Sequence, residues 1–177
     1  MAARLGGVAG PVIDELDELL DLVGSGRLGM AHFACHNNYR ADAGSAIRLR
    51  NGAFLPVMLS AAAVVRSLAG HRPLIFINAC RSAGEVPQYT QMMGWAKQFM
   101  AAGAGAFVGT LWDIRSRSAA AFADGFYQRL ADGRTLGEAA HETRLASAYD
   151  RGDPTWLAYS VYGDPAATAK GDPDAIR

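Results

Sequence analysis

Cys80 and His36 are the main pair in this chain with the chemistry for a covalent reaction. The nucleophile at a cysteine is the thiolate, which needs a nearby base or cation, and an imidazole can both take the thiol proton and protonate a leaving amine. Cys80 closes the run Pro73-Leu74-Ile75-Phe76-Ile77-Asn78-Ala79-Cys80, in which Leu74 to Ile77 show no polar alternation. Such a pattern suits a central strand buried on both faces of a parallel sheet. Open α/β sheets hold their ligands and reaction sites at the carboxyl ends of strands of this kind. His36 ends a second strand, read over residues 29–36. If the two strands are parallel neighbours, both side chains emerge at one edge of the sheet. Position alone leaves two readings of Cys80 open: a nucleophile, or a small inert buried cysteine.

The elements that must position this pair follow from periodicity and punctuation. Pro11 opens an amphipathic helix in which Leu16, Leu19, Leu20 and Val23 share a face and Gly24 is the stop. On the histidine strand Ala31, Phe33 and Cys35 face one way, and His32, Ala34 and His36 the other. Residues 37–45 read as a polar loop. Ile47 to Arg50 and Ala53 to Leu55, joined by Asn51-Gly52, predict a short hairpin. Pro56 starts a helix over residues 57–68 that Gly70 closes. After the central strand come a Gly/Pro-containing loop, a helix over residues 92–102 and a strand over residues 106–112. Ser116 or Ser118 caps a helix to Leu130, with Gly133 beyond its end. Thr135 and Glu138 have capping-box spacing and begin a helix to about residue 149. Residues 156–162 form a last strand. Strands alternating with helices predict a mostly parallel sheet with right-handed crossovers.

Bulk properties bound the answer further. A chain of 177 residues with half of them hydrophobic is long enough for a three-layer core in one domain. The formal net charge is zero, which gives no support to a general nucleic-acid surface. No apolar run approaches membrane-spanning length, and Asp14, Glu15 and Asp17 interrupt any signal-like region. The two cysteines make no disulfide framework. The expectation is a cytoplasmic protein with neither membrane nor direct nucleic-acid contact, and its Ala- and Arg-rich composition points to a bacterium. Gly103-Ala104-Gly105 precedes a strand where a dinucleotide fingerprint would follow one. A metal site from His32, His36 and a cysteine would need ligands from both faces of one strand. His32 reads as a hydrogen-bonded core histidine, Cys35 as core packing, and Trp112, Trp156 and Phe126 as core. His71 falls in a loop and His141 on a helix, with no evident partner.

His32-Phe33-Ala34-Cys35-His36, Asn78-Ala79-Cys80-Arg81-Ser82, Gly103-Ala104 and Val108-Gly109-Thr110-Leu111-Trp112 together resemble the CHAT peptidases. Phe126-Tyr127-Gln128-Arg129-Leu130, Gly137-Glu138-Ala139 and Tyr162-Gly163-Asp164-Pro165 continue the match in the same order, from about Arg27 to Pro165. These are caspase-like cysteine proteases related to separase. The resemblance implies a three-layer α/β/α sandwich with a mostly parallel central sheet, divided into a helical lead-in (residues 1–28), the peptidase domain (29–165) and a polar tail (166–177). It implies His36 as catalytic histidine, Cys80 as nucleophile, and no cofactor or metal. Relatives usually carry glycine after the histidine, where its N–H helps form the oxyanion hole. Here Asn37 departs from that pattern, but asparagine best tolerates a positive φ after glycine, and the resemblance then implies the Asn37 and Cys80 amides as the oxyanion donors.

Leu111-Trp112-Asp113-Ile114 is similar to the Leu-Trp-Asp-Val segment of separases, whose acid accepts a substrate arginine. On that resemblance Asp113 would favour a basic residue before the cleaved bond; the alternative is an ion-pair partner for Arg115 or Arg117. Arg81, beside the nucleophile, is a candidate contact to the substrate backbone or to an acidic neighbour. The implied function is an endopeptidase acting on a protein partner in bacterial defence or signalling. The resemblance further implies control by a regulatory protein or a missing N-terminal region, through loops 37–45 and 82–90. Two rival readings are a catalytically silent interaction module and a hydrolase of small acyl substrates.

Overall fold

The computed structural model describes residues 10–35, 37–40, 44–79, 94–148 and 153–169, with no side-chain description for residues 37–40 and 44. The chain divides into two compact units, one of Ile13–Ile114 with Ala158–Tyr162, the other built around Arg115–Leu157 and the segment from Gly163 onward.

In the first unit, strands β1 (Met30–Ala34), β5 (Leu74–Asn78), β6 (Ala106–Thr110) and β7 (Tyr159–Gly163), the last up to Tyr162, form a sheet in the order β1-β5-β6-β7. The β1–β5 and β5–β6 pairs are parallel. The architecture is α/β with a mostly parallel sheet, as the alternation of elements predicts. β5 sits between two strands, and Ile75, Phe76 and Ile77 are fully buried, which explains why Leu74 to Ile77 carry no polar alternation.

Ile75, Ile77 and Phe107 meet helices α1 (Leu16–Gly24), α2 (Ala62–His71) and α3 (Trp95–Ala101) in one apolar cluster. Leu19 and Val23 of α1 lie in it, so the amphipathic face read from the sequence is the buried one. Aromatic rings fill its centre, with Phe54 and Trp95 centroids 5.0 Å apart and Phe99 and Phe107 6.1 Å apart.

A second sheet, β2 (Asn37–Arg40), β3 (Gly44–Leu49) and β4 (Gly52–Phe54), is antiparallel. The polar loop expected over residues 37–45 is therefore largely a strand pair. Its polar residues give no strand signal; pairing with β3 makes the strand, and buried Ile47 anchors β3 in the core. The expected hairpin exists, but Leu49 opposes Gly52, so the loop is Arg50-Asn51. Asn51 does different work there: its Oδ1 accepts from the Leu16 N–H at 2.6 Å and so caps α1 from outside.

The helix expected over residues 57–68 is two pieces. Pro56–Ser60 is a 3-10 turn, Ala61 is extended, and α2 follows. Gly70 stays helical, and Arg72 takes the left-handed cap position (φ 47°), immediately before Pro73. His71 is thus the last residue of α2, and its Nδ1 lies 3.3 Å from the Ser67 carbonyl. Gly103 and Gly105 owe their identity to packing. A Cβ on Gly103 would stand 2.6 Å from Ala69 Cα, and one on Gly105 2.3 Å from the Arg72 carbonyl oxygen.

The second unit contains α4 (Ser116–Ala131), α5 (Leu136–Ala148) and the short α6 (Thr155–Ala158), up to Leu157. Neither serine caps α4. Arg115 occupies the cap, and the Ser118 hydroxyl donates to Asp153. The capping box is present: the Thr135 N–H donates to Glu138 Oε2 (2.9 Å) and the Glu138 N–H to Thr135 Oγ1 (3.3 Å). The Gly137 N–H donates to the Pro165 carbonyl at 2.9 Å, and a Cβ on Gly137 would meet Pro165 at 3.0 Å. Residues 156–158, read as strand, belong to α6, because Asp153 accepts from both the N–H and the hydroxyl of Thr155 and starts a helical turn. Among the described residues, no helix is long and apolar enough to cross a membrane.

Candidate active site

The parallel β1–β5 pair runs in register from Met30 opposite Leu74 to Ala34 opposite Asn78. His36 follows Ala34 by two residues, and Cys80 follows Asn78 by two. His36, Cys80 and Arg81 themselves lie outside the described residues. Asn37 heads β2 opposite Ile47.

Two faces of the sheet are distinguished by their contacts. Ala31, Phe33 and Cys35 pack against the cluster that contains Ile75, Ile77 and Ala79. On the other face the His32 ring stacks on Phe76 with centroids 5.0 Å apart, and Phe76 meets Tyr159 at 5.8 Å. His32 is exposed, not core as the sequence suggested, because β1 is the edge strand of the sheet. Cys35 is core packing as expected. Burial pushes its thiol up to about 11, so at neutral pH it is protonated and a poor nucleophile.

The carboxyl end of β5 is held by two side chains that sequence reasoning did not single out. The Thr110 hydroxyl donates to the Ala79 carbonyl at 2.6 Å, and the Tyr159 hydroxyl donates to Asn78 Oδ1 at 2.7 Å. Thr110 is fully buried at the end of β6, all of whose residues are buried. An unpaired hydroxyl there costs about 1–3 kcal/mol, so its bond to Ala79 is what makes threonine tolerable. Burial raises the Tyr159 phenol well above its ordinary value, which keeps its proton available for donation. The signals were a polar residue ending each of two apolar strands, Asn78 and Thr110, but nothing in the sequence paired them.

After β6 the chain turns outward. Leu111 is 40% and Trp112 36% exposed, which corrects the expectation that Trp112 is core. Phe126 is buried as expected, and Trp156 is partly buried. Asp113 is exposed on this segment, just beyond Leu111, whose N–H donates to the Ala158 carbonyl at 2.8 Å. The strand ends leading to His36 and Cys80 and the segment carrying Asp113 thus lie on a parallel β1-β5-β6 set, which brings carboxyl ends to one edge.

The CHAT domain family model matches residues 8–164. This chain belongs to the CHAT-domain family. The fold of this CHAT domain is that of caspase-like cysteine proteases. It resembles the Arg-specific cysteine proteinase gingipain R with a TM-score of 0.64 and 18% sequence identity, over 91% of this chain and 37% of that one. A second protease structure matches with a TM-score of 0.53 and 15% identity, over 83% of this chain and 36% of that one. The CHAT domain thus spans little more than a third of the length of either structure. No curated protein matches its sequence significantly.

Proposed function

We propose that this CHAT domain is a cysteine endopeptidase in which Cys80 is the nucleophile and His36 the general acid and base. The observation that carries the reading is the register of β1 and β5, with Ala34 opposite Asn78. A dyad needs its imidazole and thiol at adjacent strand ends on one face, and a registered pair two residues before each of them is consistent with that need. The surroundings of the other cysteine support it, since Cys35 is partly buried and its thiol is pushed up to about 11, which disfavours the thiolate. In the first step the Cys80 thiolate attacks the scissile carbonyl, His36 protonates the leaving amine, and an acyl-enzyme remains. Water, deprotonated by His36, then releases the acid and restores the thiol. The Asn37 and Cys80 amides stabilise the oxyanion of each tetrahedral intermediate.

Asp113 gives the preference for a basic residue before the cleaved bond. It is exposed at the edge where β6 ends, and the named structural relative gingipain R is Arg-specific. Arg81 follows the nucleophile and contacts the substrate backbone. The substrate is a protein partner, cleaved in a bacterial defence or signalling setting within the cytoplasm. A regulatory protein controls the site. Digestion of a peptide library by wild-type and Cys80→Ala protein tests the reading. Cleavage after arginine or lysine that Cys80→Ala abolishes is the expected result, and the absence of any Cys80-dependent cleavage overturns it.

A further inference from the structure

Thr110 is a fully buried polar residue in a strand with no exposed position, and its hydroxyl donates to the Ala79 carbonyl oxygen at 2.6 Å. That carbonyl belongs to the peptide unit joining Ala79 to Cys80. A peptide unit is planar, and in its trans form the C=O and N–H point in opposite directions. Fixing the direction of the Ala79 C=O therefore fixes the direction of the Cys80 N–H. Asn78, one residue earlier, is held separately by the Tyr159 hydroxyl at 2.7 Å, so the peptide plane is clamped at the end of a strand that is itself restrained. Among the described residues the registered β5–β6 pairs end at Ile77 opposite Gly109 and the β1–β5 pairs at Asn78 opposite Ala34, both short of the Ala79–Cys80 peptide.

We infer that Thr110 is a positioning residue that aims the Cys80 amide into the oxyanion hole. This rests on the reading of Cys80 as the nucleophile. In this role Thr110 acts through the Ala79–Cys80 peptide, whose carbonyl accepts its hydroxyl. An oxyanion donor works only if aimed where charge develops in the transition state, so a misdirected amide lowers kcat and leaves substrate binding nearly unchanged. Alkylation of a thiolate by iodoacetamide forms no oxyanion and is indifferent to the direction of that amide.

The two chemistries separate the inference from its foundation. Thr110→Val keeps the shape and removes the hydroxyl, while Thr110→Ser keeps the hydroxyl and removes the methyl. On a fluorogenic arginyl peptide, Thr110→Val should lose about tenfold or more in kcat with KM within about twofold, and Thr110→Ser should stay within about threefold of wild type. Iodoacetamide labelling of Cys80, followed by mass spectrometry, should proceed at the wild-type rate in both variants. Wild-type kcat in Thr110→Val overturns the inference and leaves the dyad standing. So does a Thr110→Val protein that loses labelling and hydrolysis together, or a Thr110→Ser protein as slow as Thr110→Val, since either marks a packing role. Should Thr110→Val fail to fold, Thr110→Ser alone decides: a large loss of kcat with the hydroxyl retained overturns the inference. A wild-type protein without Cys80-dependent hydrolysis removes the dyad reading itself, and the role of Thr110 with it.

Discussion

Ala34 and Asn78 stand opposite each other on neighbouring parallel strands, the last registered pair before His36 and Cys80 in the chain. A slip of one residue in this register would turn every β1 side chain to the opposite face of the sheet. The pairing is anchored by the burial of Ile75, Phe76 and Ile77 and by the stacking of His32 on Phe76.

The two cysteines should behave as chemical opposites. Burial holds the Cys35 thiol at about 11, so iodoacetamide at pH 7.5 should modify Cys80 and leave Cys35 intact, and Cys35→Ala should keep peptide cleavage. Modification of Cys35 should rise only above about pH 10. Because its folded value lies above the ordinary 9.0, the folded state retains the proton longer, and stability should fall as pH rises from 9.0 toward 11. Peptide mapping after alkylation across that range checks both statements. Rapid labelling of Cys35 at pH 7.5 would assign the wrong thiol to the reaction.

Asp113 should set specificity and not the rate of the chemical step. Asp113→Ala should raise KM for arginyl and lysyl peptides about tenfold or more through loss of a charge-assisted contact, with hydrolysis of neutral peptides little changed. An unchanged preference in steady-state kinetics would remove Asp113 from the pocket while leaving the dyad untouched.

Gly105 and Gly103 should resist substitution for steric reasons. Alanine at 105 would place its Cβ 2.3 Å from the Arg72 carbonyl oxygen, and the backbone there cannot yield without moving the α2 terminus. Gly105→Ala should cost about 1–3 kcal/mol in urea unfolding. Gly103→Ala adds the strain of φ +101° to a contact of 2.6 Å with Ala69 and should cost at least as much. By contrast, Gly70→Ala should be neutral or stabilising, because Gly70 is helical with open space around its Cα.

Asp153 should give the second unit an acid-sensitive element. Its carboxylate is held down to about 2, first by the Ser118 hydroxyl and then by the Thr155 hydroxyl and N–H. A folded value depressed below the ordinary 3.8 means the contribution is present above pH 3.8 and disappears as pH falls toward 2. The melting-temperature gap between wild type and Asp153→Asn should therefore be full at pH 5 and narrow below pH 3. At α5, Thr135→Ala should cost about 1 kcal/mol through loss of the capping box.

The parts of the fold legible in the sequence were those written in local chemistry. The apolar β5, the amphipathic α1 and the Thr135–Glu138 box each declare themselves within a few residues. What escaped was written in partners distant along the chain. β2 is polar and becomes a strand only by pairing with β3. Asn51 looks like a turn residue and instead caps α1. Trp156 looks like part of a strand, until Asp153 turns the chain into α6. At the candidate site the alternation of Ala31, Phe33 and Cys35 against His32 and Ala34 was readable. His32 was misread as core because the sequence does not say which strand lies at an edge. The clamp of Thr110 on Ala79 was invisible for the same reason, since it joins the ends of two strands whose adjacency is a property of the fold.

The central claim is that Cys80, assisted by His36, cleaves peptide bonds. It is tested most directly by digesting one peptide library with wild-type, Cys80→Ala and His36→Ala protein and reading the products by mass spectrometry. The account predicts cleavage after arginine or lysine by the wild type, with both variants reduced by about a thousandfold or more. Equal cleavage by wild type and Cys80→Ala, or none by any of the three, would contradict it.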